Sequence, residues 1–200
     1  MTDIITIPAS VYRAYKPLIM RKGTARPQQR YSEFVRIGCT AYDFTLTWSD
    51  SYVVLRVQWP KPKDWGNAHE GECWYLAKHE YEGMEYTAKY GAKFPIPETW
   101  ELPFRDDILK DGIIQTFIDL NASSYKEKNV IPCSRKKVSA QLMAKVMRAC
   151  DTICGKGDHD GMTNAPIGVD FGCNETVPVH IASFVNSIGL TLDALVMPIR

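Results

Sequence analysis

The sequence predicts an α+β fold of repeated βαβββ units, with helices on one face of antiparallel sheets. Three observations carry this. A short apolar run, Ile4–Ile7, is stopped by Pro8 and followed by residues at helical spacing. Consecutive strand-like runs then fill residues 34–57. An amphipathic stretch, Ser134–Cys154, precedes a second group of strand-like runs.

Element by element, Ala9 and Ser10 open the first helix, and Val11, Tyr15, Leu18 and Ile19 mark its apolar stripe. Pro17 interrupts or kinks it, because proline lacks the N–H and clashes with the preceding turn. Arg21 to Arg30 reads as a basic exposed loop. Strands follow at Phe34–Gly38, Phe44–Trp48 and Tyr52–Val57, the last two joined by the turn composition Ser49-Asp50-Ser51.

Pro60, Pro62, Gly66 and Gly71 make residues 59–71 a connector. Leu76–Tyr90, rich in Glu, Lys, Tyr and Ala, predicts a helix. Pro95, Pro97 and Pro103 exclude regular helix over 93–103. Gly112–Leu120 predicts a strand, and a polar loop leads from it to Val130-Ile131-Pro132. In Ser134–Cys154, Ser139 caps or opens the helix, and Leu142, Val146, Ala149 and Ile153 line one face. A Gly/Asp loop over 155–161 precedes strands at Ile167–Phe171, Val177–Ile181 and Leu192–Met197. The division expected is residues 1–132 and residues 133–200, the second a shortened unit of helix and about three strands. The repeat is one of pattern and not of letters.

The 200 residues are 45% hydrophobic and 24% charged, an ordinary globular mix. A net charge of +1 excludes a strong overall pull on nucleic acid or membrane, so any such face depends on charge distribution. Residues 13–30 and 135–156 hold much of the positive charge, while 64–111 is acid-rich. Met1-Thr2-Asp3-Ile4 lacks a basic region followed by an apolar run, and the apolar stretches are short for a membrane span. A cytoplasmic protein with no membrane contact is expected.

Cys39, Cys73, Cys133, Cys150, Cys154 and Cys173 are not clustered as in a secreted scaffold, and read as reduced, mostly buried thiols. Cys150, Cys154, His159 and Cys173 lack the second tight pair of a structural zinc site. Asp158-His159-Asp160 reads as a Gly-flanked surface loop. There is no Gly-rich phosphate cradle, nucleophile elbow or His-Glu-x-x-His motif. A non-enzymatic chain without cofactor or metal is therefore expected.

Several segments, in order, resemble the bacterial-type DNA sliding clamp, the DNA polymerase III beta subunit family. Ile5-Thr6-Ile7-Pro8 and the helix after it resemble the opening of the family's middle domain. Leu46-Thr47-Trp48-Ser49-Asp50-Ser51-Tyr52 is similar to its Leu-Thr-x-Thr-Asp-Gly-His/Tyr turn, with Ser51 in place of Gly and Val53 where Arg is common. Ile118-Asp119 through Tyr125 to Val130-Ile131-Pro132 resembles its interdomain junction. Pro178-Val179-His180-Ile181 resembles a strand near the end of its last domain, and Val196-Met197-Pro198-Ile199-Arg200 its terminal Val-Met-Pro-Met-Arg-Leu. The family has three domains, and 200 residues leave no room for the first, so a compact or phage-like divergent member is expected.

The resemblance implies a processivity factor that binds duplex DNA without sequence preference and recruits a polymerase, or other proteins with a clamp-binding motif, through an extended peptide. A ring of the usual six domains would need several copies, hence a homo-oligomer. The family's peptide pocket carries over to Ser51, Tyr52, Val53, Pro132, Val196, Met197 and Pro198. Met adapts to varied side chains and Pro offers a wall without a donor. Val196 and Met197 are equally readable as core-facing residues of a last strand. Phosphate contacts fall to Arg13, Lys16, Arg21, Lys22, Arg26 and Arg30 near the first helix. On the C-terminal helix they fall to Arg135, Lys136, Lys137, Lys145, Arg148 and Lys156. An alternative is a virus-encoded clamp-fold binding module or inhibitor that engages a host replication or defence complex without encircling DNA.

Overall fold

The computed structural model describes residues 3–25, 31–98, 137–154, 167–170, 178–185 and 188–198. The elements are β1 (Ile4–Ile7), α1 (Ala9–Tyr15), β2 (Phe34–Cys39), β3 (Asp43–Ser49), β4 (Val53–Pro60), β5 (Cys73–Ala77) and α2 (Lys78–Glu82). They continue with β6 (Glu85–Thr87), β7 (Gly91–Pro95), α3 (Ala140–Cys154), β8 (Ile167–Asp170), β9 (Val179–Val185) and β10 (Leu190–Val196). Strand, helix and three strands thus open the chain, as its apolar pattern requires.

Seven strands form one antiparallel sheet in the order β5-β2-β3-β4-β10-β9-β8. Three form a second sheet, β1-β7-β6. In β4 the burial alternates, with Val53, Leu55, Val57 and Trp59 inward, the period of a half-buried strand. β10 lies between β4 and β9, pairing Val196 with Val53 on one side and with Val179 on the other. On the opposite face, Arg36, Thr47, Arg56 and Asp193 form one row across β2, β3, β4 and β10.

α1 and α3 pack against each other and share one apolar core with the large sheet. Pro8 precedes α1, where its fixed φ suits a helix start, and the helix ends before Pro17. Tyr15 sends a fully buried hydroxyl between two strands, its proton shared by the carbonyls of Leu46 at 2.9 Å and Leu55 at 3.0 Å. Burial therefore pushes the Tyr15 phenol well above its ordinary value. Trp59 Nε1 donates to the Thr6 carbonyl at 3.1 Å and ties the two sheets together. Gly91 has φ +84°, and a Cβ there would strike the Ile7 backbone, so only glycine lets β7 sit against β1 at that point.

The helix expected over Leu76–Tyr90 is not formed. Leu76 pairs with Val35 in the β2–β5 ladder, and Trp74 and Leu76 are buried in the core. Edge pairing and burial override the helical composition. Only Lys78–Glu82 turns helical: Glu80 accepts the Ala77 amide at 2.7 Å at its start, and Gly83 follows its end. The strand expected at 112–120 lies outside the described residues. α3 begins at Ala140, with Ser139 Oγ accepting the Leu142 amide at 3.4 Å, and Ser134 lies outside the described residues. Its buried side is Val146, Ala149, Cys150, Ile153 and Cys154. Among the described residues no helix is long and apolar enough to cross a membrane.

Candidate functional site

The β3–β4 turn is organised by Asp50, an Asx-type turn whose short carboxylate reaches the backbone ahead of it. Asp50 Oδ1 accepts the amides of Tyr52 at 3.1 Å and Val53 at 2.9 Å. Asp50 is only 5% exposed. Ser51 takes a left-handed backbone, φ 73°, the conformation for which glycine is the usual residue. Ser51 thus stands, where the similar motif has Gly, in a backbone conformation that suits glycine.

Beyond the turn the chain meets the end of β10. The Met197 amide donates to the Tyr52 carbonyl at 2.8 Å. Val138, just before α3, forms an isolated antiparallel bridge with Pro198. Residues 51–53, 138 and 196–198 are thus neighbours in space. Their side chains divide. Val53 and Val196 are fully buried in the core. Ser51 and Tyr52 are exposed, while Met197 and Pro198 are half-buried. The open surface is therefore Ser51, Tyr52, Met197 and Pro198, with Val138 beside them. Pro132 lies outside the described residues. Val138 was not legible as a site residue, since nothing in its local sequence announces a bridge to Pro198.

Lys145 reaches the turn from α3. Its Nζ lies 3.2 Å from Asp50 Oδ2 and 4.1 Å from the centre of the Trp48 ring. The ammonium is thus held by a buried carboxylate and an aromatic face at once.

Of the cations expected to meet phosphate, Lys16, Arg21, Lys22, Lys137 and Arg148 are exposed. Arg13 is half-buried and donates to the Tyr86 hydroxyl at 3.4 Å. Lys145 is engaged as described. Arg26, Arg30, Arg135, Lys136 and Lys156 lie outside the described residues. A groove of about 410 Å³ runs between α1 and α3, lined by Pro17, Leu18, Gln141, Lys145 and Arg148 among others.

Cys150 and Cys154 are buried, and burial pushes the Cys150 thiol up to about 12, outside the range of a reactive thiolate. His159 and Cys173 lie outside the described residues, among which no His, Cys, Asp or Glu cluster is placed to hold a metal. Burial pushes the Asp193 carboxyl up, but the hydrogen bond from His180 at 2.9 Å and Arg56 at 3.6 Å hold it below its ordinary value.

No known family and no curated protein matches the sequence. Solved structures do match in fold. The Helicobacter pylori beta clamp in complex with diflunisal superposes with a TM-score of 0.50 at 13% identity, covering 100% of this chain and 67% of that one. The same clamp bound to a DNA ligase peptide gives 0.49 at 13% identity, covering 100% and 66%. A. fulgidus PCNA, with the C-terminal region of FEN-1 bound, gives 0.45 at 10% identity, covering 99% of each chain. The chain has a sliding-clamp-like α+β fold and spans about two thirds of the length of the Helicobacter pylori clamp.

Proposed function

We propose that this chain is a sliding-clamp-like processivity factor of DNA replication. As a homo-oligomer it binds duplex DNA without reading sequence. It recruits a DNA polymerase, or another protein with a clamp-binding motif, through an extended peptide. The observation that carries this reading is the junction of Tyr52 with Met197: it leaves Tyr52, Met197 and Pro198 side by side at the surface on a clamp-like fold. An apolar ledge beside strand ends suits a peptide that inserts Leu or Phe anchors. The resemblance adds Pro132 to the same peptide pocket. Residues 1–132 and 133–200 are the two clamp-like units of this reading. Exposed Lys16, Arg21, Lys22, Lys137 and Arg148 supply phosphate contacts, joined by Arg26, Arg30 and Lys136. The role is non-enzymatic and cytoplasmic.

The test is mass in solution by light scattering, with a polymerase processivity assay on primed DNA across a salt series. A defined oligomer and stimulation that falls with salt are expected. A strict monomer at high concentration, without stimulation, sinks the reading.

A second reading has its own support. Arg13 and Lys145 are engaged within the chain, and net charge is only +1. Both favour a virus-encoded clamp-fold binding module or inhibitor that engages a host replication or defence complex without encircling DNA. Recovery of a protein complex from nuclease-treated lysate, with no DNA binding by the purified chain, supports this second reading over the first.

A further inference from the structure

Asp50 is a buried carboxylate on which the peptide-facing turn depends. Removing one partner of such a pair is costly, because the remaining charge is left desolvated. Its cation comes from α3, an element remote in sequence. The same segment touches the other end of the ledge, through the bridge of Val138 with Pro198. One helix and its lead-in therefore brace both the Asp50 turn and the end of β10.

We propose that Lys145 is a positioning residue for the Tyr52–Met197 ledge, coupling it to the α1–α3 face. Lys145 holds Asp50, and Asp50 holds the Tyr52 and Val53 amides. The Trp48 ring keeps the ammonium in place. The Lys145 side chain is nonetheless 33% exposed, and it lines the α1–α3 groove beside Arg148. A phosphate arriving at that groove competes with Asp50 for the same ammonium. Drawing Lys145 away leaves Asp50 buried without this cation and slackens its grip on the turn. Phosphate in the α1–α3 groove and peptide on the Tyr52–Met197 ledge therefore oppose each other, and the effect is reciprocal. The identity of the two ligands rests on the function proposed above; the positioning role rests on the geometry.

The experiment is amide hydrogen exchange on the wild-type chain, K145M and K145R, without ligand and with a short DNA duplex. A labelled peptide with Leu and Phe anchors is titrated in parallel. K145M is expected to raise exchange at Tyr52 and Val53 by about tenfold, and K145R to restore most of the protection. Duplex DNA is expected to reproduce that rise in the wild type. It also weakens peptide binding by about fivefold, an effect missing in K145M. Unchanged exchange at Tyr52 and Val53 in K145M, or a rise spread evenly through α3 and the sheet, overturns the positioning role. Unchanged wild-type exchange on adding DNA overturns the coupling. A peptide that never binds, with exchange responding as expected, sinks the recruitment reading and leaves Lys145 as the positioning residue.

Discussion

The amide of Met197 and the carbonyl of Tyr52 are hydrogen-bonded at 2.8 Å, just past the point where Val196 pairs with Val53. That bond marks where an interior sheet becomes a surface. Residues on its inner side, Val53 and Val196, complete the core, and Tyr52 on its outer side is exposed.

Tyr52→Ala and Val196→Ala separate these two roles. Val196 is fully buried, so its truncation costs about 2 kcal/mol in chemical denaturation, mainly through the cavity. Tyr52 is 51% exposed, and its truncation changes stability by less than about 0.5 kcal/mol. Peptide affinity, read by fluorescence anisotropy, falls about tenfold in Tyr52→Ala, the size of one modest anchor. A stability loss in Tyr52→Ala equal to that in Val196→Ala would contradict the division.

Ser51→Gly relieves a side chain held at φ 73°. An L-residue in that region costs roughly 1–2 kcal/mol, and glycine returns part of that as unfolded-chain entropy. A net gain of up to about 1 kcal/mol in unfolding free energy is expected. Ser51→Val should do the opposite, because a β-branched residue tolerates that backbone least.

Tyr15→Phe deletes the one proton shared by the Leu46 and Leu55 carbonyls while keeping the ring. A loss of about 1 kcal/mol in urea denaturation is expected. Tyr15→Leu costs more, since ring volume is lost as well. No tyrosinate signal from Tyr15 should appear in an alkaline absorbance titration until the chain unfolds.

Two groups set opposite pH responses. His69 is raised, first by its hydrogen bond to Asp3 and then, against some desolvation, by Glu72. Its contribution is fully present below the unfolded value of about 6.5 and is lost as pH rises through the higher folded value. Asp193 is lowered, so its contribution is present above the unfolded value of about 3.9 and is lost as pH falls through the folded one. An NMR titration should place the His69 midpoint above 6.5 and show it falling in Asp3→Asn. A His69 midpoint unmoved by that substitution refutes the assignment.

Much of this was readable from local chemistry. Pro8 and Pro17 bracket α1 because proline suits one helix end and forbids the interior. Ser49-Asp50-Ser51 announced its turn through the side chain of Asp50. The apolar stripe of α3 showed plainly in Val146, Ala149 and Ile153. Leu76–Tyr90 misled because its composition is helical, whereas its fate is decided by Val35, a residue distant in sequence. The surface around Tyr52 and Met197 was legible only in part. Strand parity alone does not say which of Tyr52, Val53, Val196 and Met197 face out until β4 and β10 are known to pair. Lys145 reads as a solvent-facing cation on its own helix; its engagement by Asp50 and Trp48 is purely tertiary.

The place of β10 in the sheet has a consequence for biosynthesis. Roughly 130 residues separate Pro60, the end of β4, from Leu190, the start of its neighbour β10. At ribosomal rates of about 5–20 residues per second, β4 waits some 7–26 seconds with one edge unpaired. An open strand edge recruits other strands. The nascent chain is therefore most vulnerable to misassembly before β10 emerges, and slow translation over residues 61–189 would lengthen that window.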